Sequence, residues 1–400
     1  MPPPVRAAGL ARGAPVGLAK KKSVRGGTKK VVRYQRCASV VIYWLGGRLV
    51  YENFAVGSKI TAEPFVCSIL EFCGEGRSLA EVQSHLKPYD KDSVRRTLEE
   101  LCVHGLLERS DRKRDPREVA MEAWHEWNPA AGFFHFSTKD TQFAEDPWAP
   151  MRELQEWAKT DPMPVPVKRY AKSAHIKLER VAGESEFPRV LQQRRTWRKY
   201  SEEPVELKDL AATLQLTFGI QSWADVPELG KAAMKTSPSG GSLHPIEAYV
   251  ISRRVKGLKG GVYHYNAEKH ELDRIGGGVP RAELQKLLGH QHWFANTAFL
   301  VMMTAVFGRT QWKYDFPRVY RAVLLEAGHL CQTFCLTATW LGLAPFCTIA
   351  LADTKWEKIL GIDGINESVI YAAGAGMKPQ DDSGAHIGKL GKGSAPNRIA

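Results

Sequence analysis

The chain has 400 residues, 44% hydrophobic and 10% aromatic, enough to fill the cores of two or three domains. Its richest apolar stretch, 322–350, is broken by Glu326, His329, Gln332 and several threonines, so no membrane-spanning helix is expected. The net charge of +13 suggests nucleic acid until it is located: residues 1–36 hold ten Lys or Arg and no acid, leaving +3 for everything else.

That N-terminal stretch, rich in Pro, Gly and Ala and poor in large apolar residues, is read as a disordered basic tail. It lacks the apolar centre of a secretory signal. The seven cysteines are odd in number and form no CxxC pair, which argues against a disulfide framework and fits a reducing cytoplasm. No metal site is expected; Cys331 and Cys335, one helical turn apart in an apolar run, are read as small core residues.

Residues 38–54 carry two β-branched and aromatic runs joined by Gly46 and Gly47, a hairpin signal. Helices are expected over 62–72, 78–86 with Ser78 as N-cap, and 92–104, followed by a strand over 106–109. The boundaries 37–115 thus enclose a winged-helix-like module. Lys91, Arg95, Arg96 and Arg112, Lys113, Arg114 raise DNA binding as an option, but Glu99, Glu100 and Glu108 dilute the charge and no nucleic acid partner is expected. Peptide capture at a sheet edge or simple architectural packing are the competing uses.

Residues 116–185 form a connector in which Trp124, Trp127, Phe133, Phe134 and Phe136 cluster, the composition of a segment that wraps a neighbour. His135 reads as a packed histidine. A short helix over 151–159 precedes a proline-rich run at 161–170 that should be extended. The third unit, 186–380, mixes elements without regular βαβ alternation: helices to Arg195, over 206–218, 281–288 and 317–341; strands at 246–252, 261–276 as a hairpin, 298–307 and 368–373; and a loop at 347–350. That mixture is α+β. A flexible tail, 381–400, ends the chain.

Three stretches of this unit carry chemistry. In TSPSGGSLHPIEAY, residues 236–249, Gly240 and Gly241 would let backbone approach a flat ligand where a Cβ would collide. Arg194, Arg195, Thr196 and Arg198 set three guanidiniums beside a hydroxyl, a pattern suited to phosphate; neither a Walker loop nor GxGxxG follows a strand. Lys313 and Tyr314 stand just ahead of a long helix beside Asp315, Arg318 and Arg321, placed for proton transfer. Glu326 and His329 are expected to share a face of that helix.

The motifs RRTWRKY at 194–200, SPSGGSLHPIEAYV at 237–250 and WKYDFPRVYRAVLLEAGHLCQ at 312–332, with LGLAP at 341–345, together resemble the FMN-dependent nitroreductase superfamily, and within it the SagB-type azoline dehydrogenases. The resemblance implies a nitroreductase-like FMN domain behind a winged-helix-like precursor-peptide module. Arg194, Thr196 and Arg198 would hold the FMN phosphate and ribityl chain, Ser237, Ser239, Gly240 and Gly241 would line the isoalloxazine edge, and Lys313 and Tyr314 would be the acid/base pair. It further implies a homodimer with FMN at the subunit interface, a precursor peptide carrying thiazolines or oxazolines as substrate, and a cyclodehydratase partner. Gln332 and Thr333 depart from the Gln-Asn usual there, and Phe316-Pro317 replaces a more polar turn. An NAD(P)H-dependent nitro- or quinone-reducing enzyme, a flavin-bearing transcription regulator and a non-catalytic peptide scaffold are the rival expectations.

Overall fold

The computed structural model describes residues 31–146, 148–161, 176, 178, 185–227 and 230–380. The proline-rich run beyond Asp161, the C-terminal tail and the basic tail up to residue 30 lie outside them.

The long apolar run before residue 307 decides the architecture. Phe299–Val306 is buried along nearly its whole length and sits inside a six-stranded sheet. Side chains alternate across that strand: Val301, Met303 and Ala305 enter one core, Leu300 and Met302 the other. A strand apolar on both faces has to be covered twice, and it is. The first face is closed by Tyr320–Trp340 and Leu207–Phe218, the second by Arg281–Leu287 and Asp353–Leu360. The sheet order is Glu271–Gly276, Gly261–Asn266, Ile246–Ser252, Phe299–Val306, Glu367–Met377, Leu343–Thr348, antiparallel throughout. This is the expected α+β arrangement.

Three local expectations are corrected. The loop foreseen at 347–350 is preceded by a strand, Leu343–Thr348, that pairs residue by residue with Glu367–Met377 up to Thr348 and Ala372; Pro345 disguises it, and an edge position is where a strand tolerates proline. The helix foreseen from 317 begins as a 3₁₀ turn, Pro317–Val319, before the α-helix Tyr320–Trp340. A hairpin of Ser222–Val226 with Gly230–Met234, unforeseen in the sequence, leads into the glycine loop.

The N-terminal module has its own core, built from Tyr51, Ile69, Leu70, Val82, Leu98 and Leu101 among others. The hairpin turns at Gly46 and Gly47, both at positive φ, 56° and 75°, as a tight two-residue turn requires. Ser78 caps Leu79–His85, and Glu81 closes a capping box with it. The structure takes Arg33–Arg36, read as the end of the basic tail, into a strand between Arg77–Ser78 and Leu107–Arg109. Tyr34 packs its ring inward there and anchors four residues that are otherwise polar. In Lys91–Val103, Arg95 is ion-paired with Asp92 and Glu99, and beyond it Arg114 reaches Glu108 and Glu122.

The aromatic connector does wrap the larger unit. Trp124 and Trp127 are fully buried in the main core, and the Trp124 indole N–H donates to the Ile365 carbonyl at 3.0 Å while its ring meets Phe307 edge-on at 4.7 Å. His135 is buried and hydrogen-bonded to the Tyr320 hydroxyl at 2.8 Å; burial pushes its imidazole down to about 3, so it is a neutral packing residue. Lys139 adds an ion pair to Glu357 at 2.6 Å. Trp124→Ala should cost about 3–5 kcal/mol, the usual range for a buried tryptophan. Urea unfolding measures this, and a loss below about 1 kcal/mol would mean the wrap contributes little.

Candidate functional site

Residues 236–244 form a loop between the Gly230–Met234 hairpin and the strand Ile246–Ser252. The hydroxyls of Thr236, Ser237 and Ser239 are spent on holding it down. The Thr236 hydroxyl donates to the Leu216 carbonyl, Ser237 Oγ lies 2.9 Å from Thr333 Oγ1, and the Ser239 hydroxyl donates to Glu326 Oε2 at 2.5 Å. Ser239 Oγ in turn accepts the His244 N–H at 2.9 Å, and the His244 ring stands 3.7 Å from Glu326 Oε1. The loop is therefore fastened to the long helix at Glu326 and Thr333, a little under two turns apart. Ser237 and Ser239 act first as fasteners, leaving backbone as the exposed lining.

The two glycines are unequal. A Cβ on Gly240 would meet only the Ala322 methyl at 3.6 Å, an ordinary contact. Gly241 has φ of 72°, and a Cβ there would lie 2.9 Å from both Lys313 Nζ and Tyr314 Oη. A side chain there would be strained by that backbone, and the tips of Lys313 and Tyr314 would have to give way to it. The fold thus brings Gly241, Lys313 and Tyr314 to one place from two parts of the chain.

The pair itself follows Phe307–Gln311, a short helix not foreseen in the sequence. Lys313 Nζ stands 5.5 Å from the Tyr314 ring centroid, and the lysine is exposed while the tyrosine is half-buried. The Tyr314 backbone is held twice: its N–H donates to the Thr310 carbonyl, and its carbonyl accepts the Trp127 indole N–H at 3.0 Å. Trp127 is a supporting residue that its place in a connector concealed. Glu326 and His329 do not act together, for Glu326 is buried under the loop and His329 is exposed.

Two further groups belong to this region. Lys235, at the start of the loop, is held below the ordinary ammonium range by burial, with Glu247 opposing the shift. Arg309 pairs with Glu247, which also accepts from His264 at 2.9 Å, and an Arg309 N–H donates to the His244 carbonyl. Arg309 did not stand out in the sequence, because its partners Glu247 and His244 are distant along the chain, the latter 65 residues away.

The arginine segment follows the helix Glu186–Gln193 as extended chain, its Trp197 N–H donating to the Pro345 carbonyl of the edge strand. Its three guanidiniums divide. Arg195 is exposed and donates to the carbonyls of Gln192 and Arg194. Arg198 is half-buried, with Nε buried and without a hydrogen-bond partner, and burial pushes its guanidinium below the ordinary value. A half-buried guanidinium whose Nε–H is buried and unmet is an arrangement that an anion completes. Together with the Gly241 cradle, it means that the residues present suit a flat, phosphorylated cofactor.

Residues 191–377 match the model of the nitroreductase family. The Methanocaldococcus jannaschii protein MJ1384, which bears a nitroreductase name, is 33% identical over 173 residues, spanning 43% of this chain and 83% of its own. This chain belongs to the nitroreductase family. It is also similar to the trifolitoxin-processing protein TfxB of Rhizobium leguminosarum bv. trifolii, at 26% identity over 355 residues, 80% of this chain and 90% of that one. Among solved structures, a chain of the Escherichia coli microcin synthetase McbBCD complex with truncated pro-MccB17 bound is similar at 19% identity and a TM-score of 0.49, over 67% of this chain and 98% of that one. Among the described residues no helix is long and apolar enough to cross a membrane.

Proposed function

We propose that this protein is an FMN-dependent oxidoreductase that dehydrogenates azoline rings in a ribosomally made precursor peptide, turning thiazoline or oxazoline into thiazole or oxazole. The observation that carries the reading is the approach of the Gly241 backbone to Lys313 Nζ and Tyr314 Oη, which sets a bed for a flat ring against a pair able to move a proton. Similarity to TfxB over nine-tenths of that protein, named for processing trifolitoxin, supports a peptide as substrate.

In this reading Arg194, Thr196 and Arg198 hold the FMN phosphate and ribityl chain, and residues 237–241 carry the isoalloxazine edge through backbone, since the serine hydroxyls are engaged with the long helix. Bound FMN supplies the acceptor for the hydride, the two electrons and one hydrogen that leave the ring carbon. Tyr314, its backbone fixed by Trp127 and Thr310, presents Oη beside Lys313 Nζ, and the two receive the accompanying proton and relay it to solvent. The N-terminal module, winged-helix-like in its order of hairpin, three helices and strand, holds the precursor; a cyclodehydratase supplies the azolines. The functional unit is a homodimer with FMN at its interface.

The purified chain should take up FMN stoichiometrically and turn yellow; a chain that stays colourless with added FMN would sink the reading. Arg198→Ala should weaken FMN by about 10–150-fold, the equivalent of about 1.5–3 kcal/mol for one charge-assisted hydrogen bond. Fluorescence titration of free FMN reads this directly. Trp127→Phe keeps the aromatic bulk and removes the donor to Tyr314. Azole formation should fall further than the cost of about 1 kcal/mol in unfolding free energy accounts for, as comparison of turnover with urea unfolding will show.

A further inference from the structure

The two cysteines read as core packing, Cys331 and Cys335, are not alone. They lie one turn apart on the long helix, and the edge strand Leu343–Thr348 packed beside that helix presents Cys347 to them. The three Sγ atoms all lie within 4.8 Å of one another, and all three are free thiols. Cys331 and Cys335 are buried at 3% and 4% exposure, while Cys347 is half-buried and opens the way in.

The surroundings are those of a ligand set. The Tyr371 hydroxyl, on the neighbouring strand, donates to Cys347 Sγ at 3.4 Å. Three sulfurs at this spacing, from two elements, converge on one point as the ligands of a single ion do. Zinc with Zn–S bonds of about 2.3 Å in tetrahedral geometry sets sulfurs about 3.8 Å apart, so rotamer adjustments of an ångström or less would close the site.

We propose that Cys331, Cys335 and Cys347 form a thiolate site for Zn²⁺, with the Tyr371 hydroxyl oxygen or a water in the fourth position. Three sulfur donors select a thiophilic ion over Ca²⁺ or Mg²⁺. A divalent ion leaves three thiolates with a net single negative charge; a monovalent one would leave two in a largely dry seam. Bound there, Zn²⁺ pins the long helix to the edge strand from which Pro345 holds the arginine segment. The site stands on the cysteines alone and does not depend on the reaction proposed above.

The test uses the full chain, reduced, treated with chelator, then given excess Zn²⁺ and desalted. Elemental analysis should find one zinc per chain, lost in Cys331→Ser, Cys335→Ser and Cys347→Ser and kept in Cys67→Ser and Cys102→Ser. Because a core serine can unfold the chain, alkylation of the unmutated protein with mass-spectrometric mapping gives a second measure: Zn²⁺ should protect these three cysteines selectively. Zinc below a tenth of stoichiometry in the unmutated chain would overturn the proposal. So would loss of zinc on Cys37→Ser, which would place the ion with Glu108 and Glu118 instead, or a disulfide forming within the cluster in the presence of Zn²⁺.

Discussion

Tyr314→Phe and Lys313→Ala should each lower azole formation by about 10²–10⁴-fold, the range that a positioned proton-transfer group contributes, while FMN content stays at the unmutated level. The separation follows from geometry. Both side chains reach toward Gly241, but the loop is fastened elsewhere, at Glu326 and Thr333, so trimming either leaves the bed in place. Tyr314→Phe removes one oxygen and keeps the ring that packs on Phe316. Single-turnover rates on an azoline peptide, with flavin absorbance recorded on the same sample, read both quantities. Normal rates in both variants would show that the pair is not the acid/base machinery. Loss of rate together with loss of FMN would show that it is part of the cofactor bed.

Gly241→Val should abolish FMN retention, and Gly240→Val should be mild. A side chain at Gly241 must adopt φ of 72° and place its first carbon 2.9 Å from Lys313 Nζ and Tyr314 Oη. A β-branched residue in that backbone region costs on the order of 1–3 kcal/mol before any clash. At Gly240 the nearest atom is a methyl at contact distance. FMN release after gel filtration, with circular dichroism to confirm that both variants fold, compares them. Equal retention in the two would mean that the loop is an ordinary turn. Adjacent glycines in a sequence look alike; the sign of φ and the approach of Lys313 and Tyr314, residues far along the chain, tell them apart.

The stretches that line the candidate site were legible because they sit in short, dense motifs. The arginine segment, the glycine loop and the Lys-Tyr pair each declare their residue types within a few positions, and the alternation in Phe299–Val306 carries the two-faced sheet in a single strand. What stayed hidden depends on distant contact. Arg198 looks like Arg195 until burial separates a cation with an unmet donor from one satisfied by nearby carbonyls. Ser237 and Ser239 read as ligand contacts because their partners, Thr333 and Glu326, lie 96 and 87 residues away. The Thr333 hydroxyl also gives the departure from Gln-Asn a physical role, fastening the loop. Leu343–Thr348 was concealed by Pro345, and with it the third cysteine of the cluster. The strand Arg33–Arg36 was concealed by its charge, since only Tyr34 turns inward.

Mass spectrometry of an azoline-bearing precursor peptide, incubated with the FMN-loaded protein in air and without nicotinamide, tests the proposed azoline oxidation most directly. Two hydrogens should be lost per azoline ring, and Tyr314→Phe should abolish the loss. An unchanged peptide mass, alongside rapid NAD(P)H oxidation with a nitroaromatic or quinone, would contradict it.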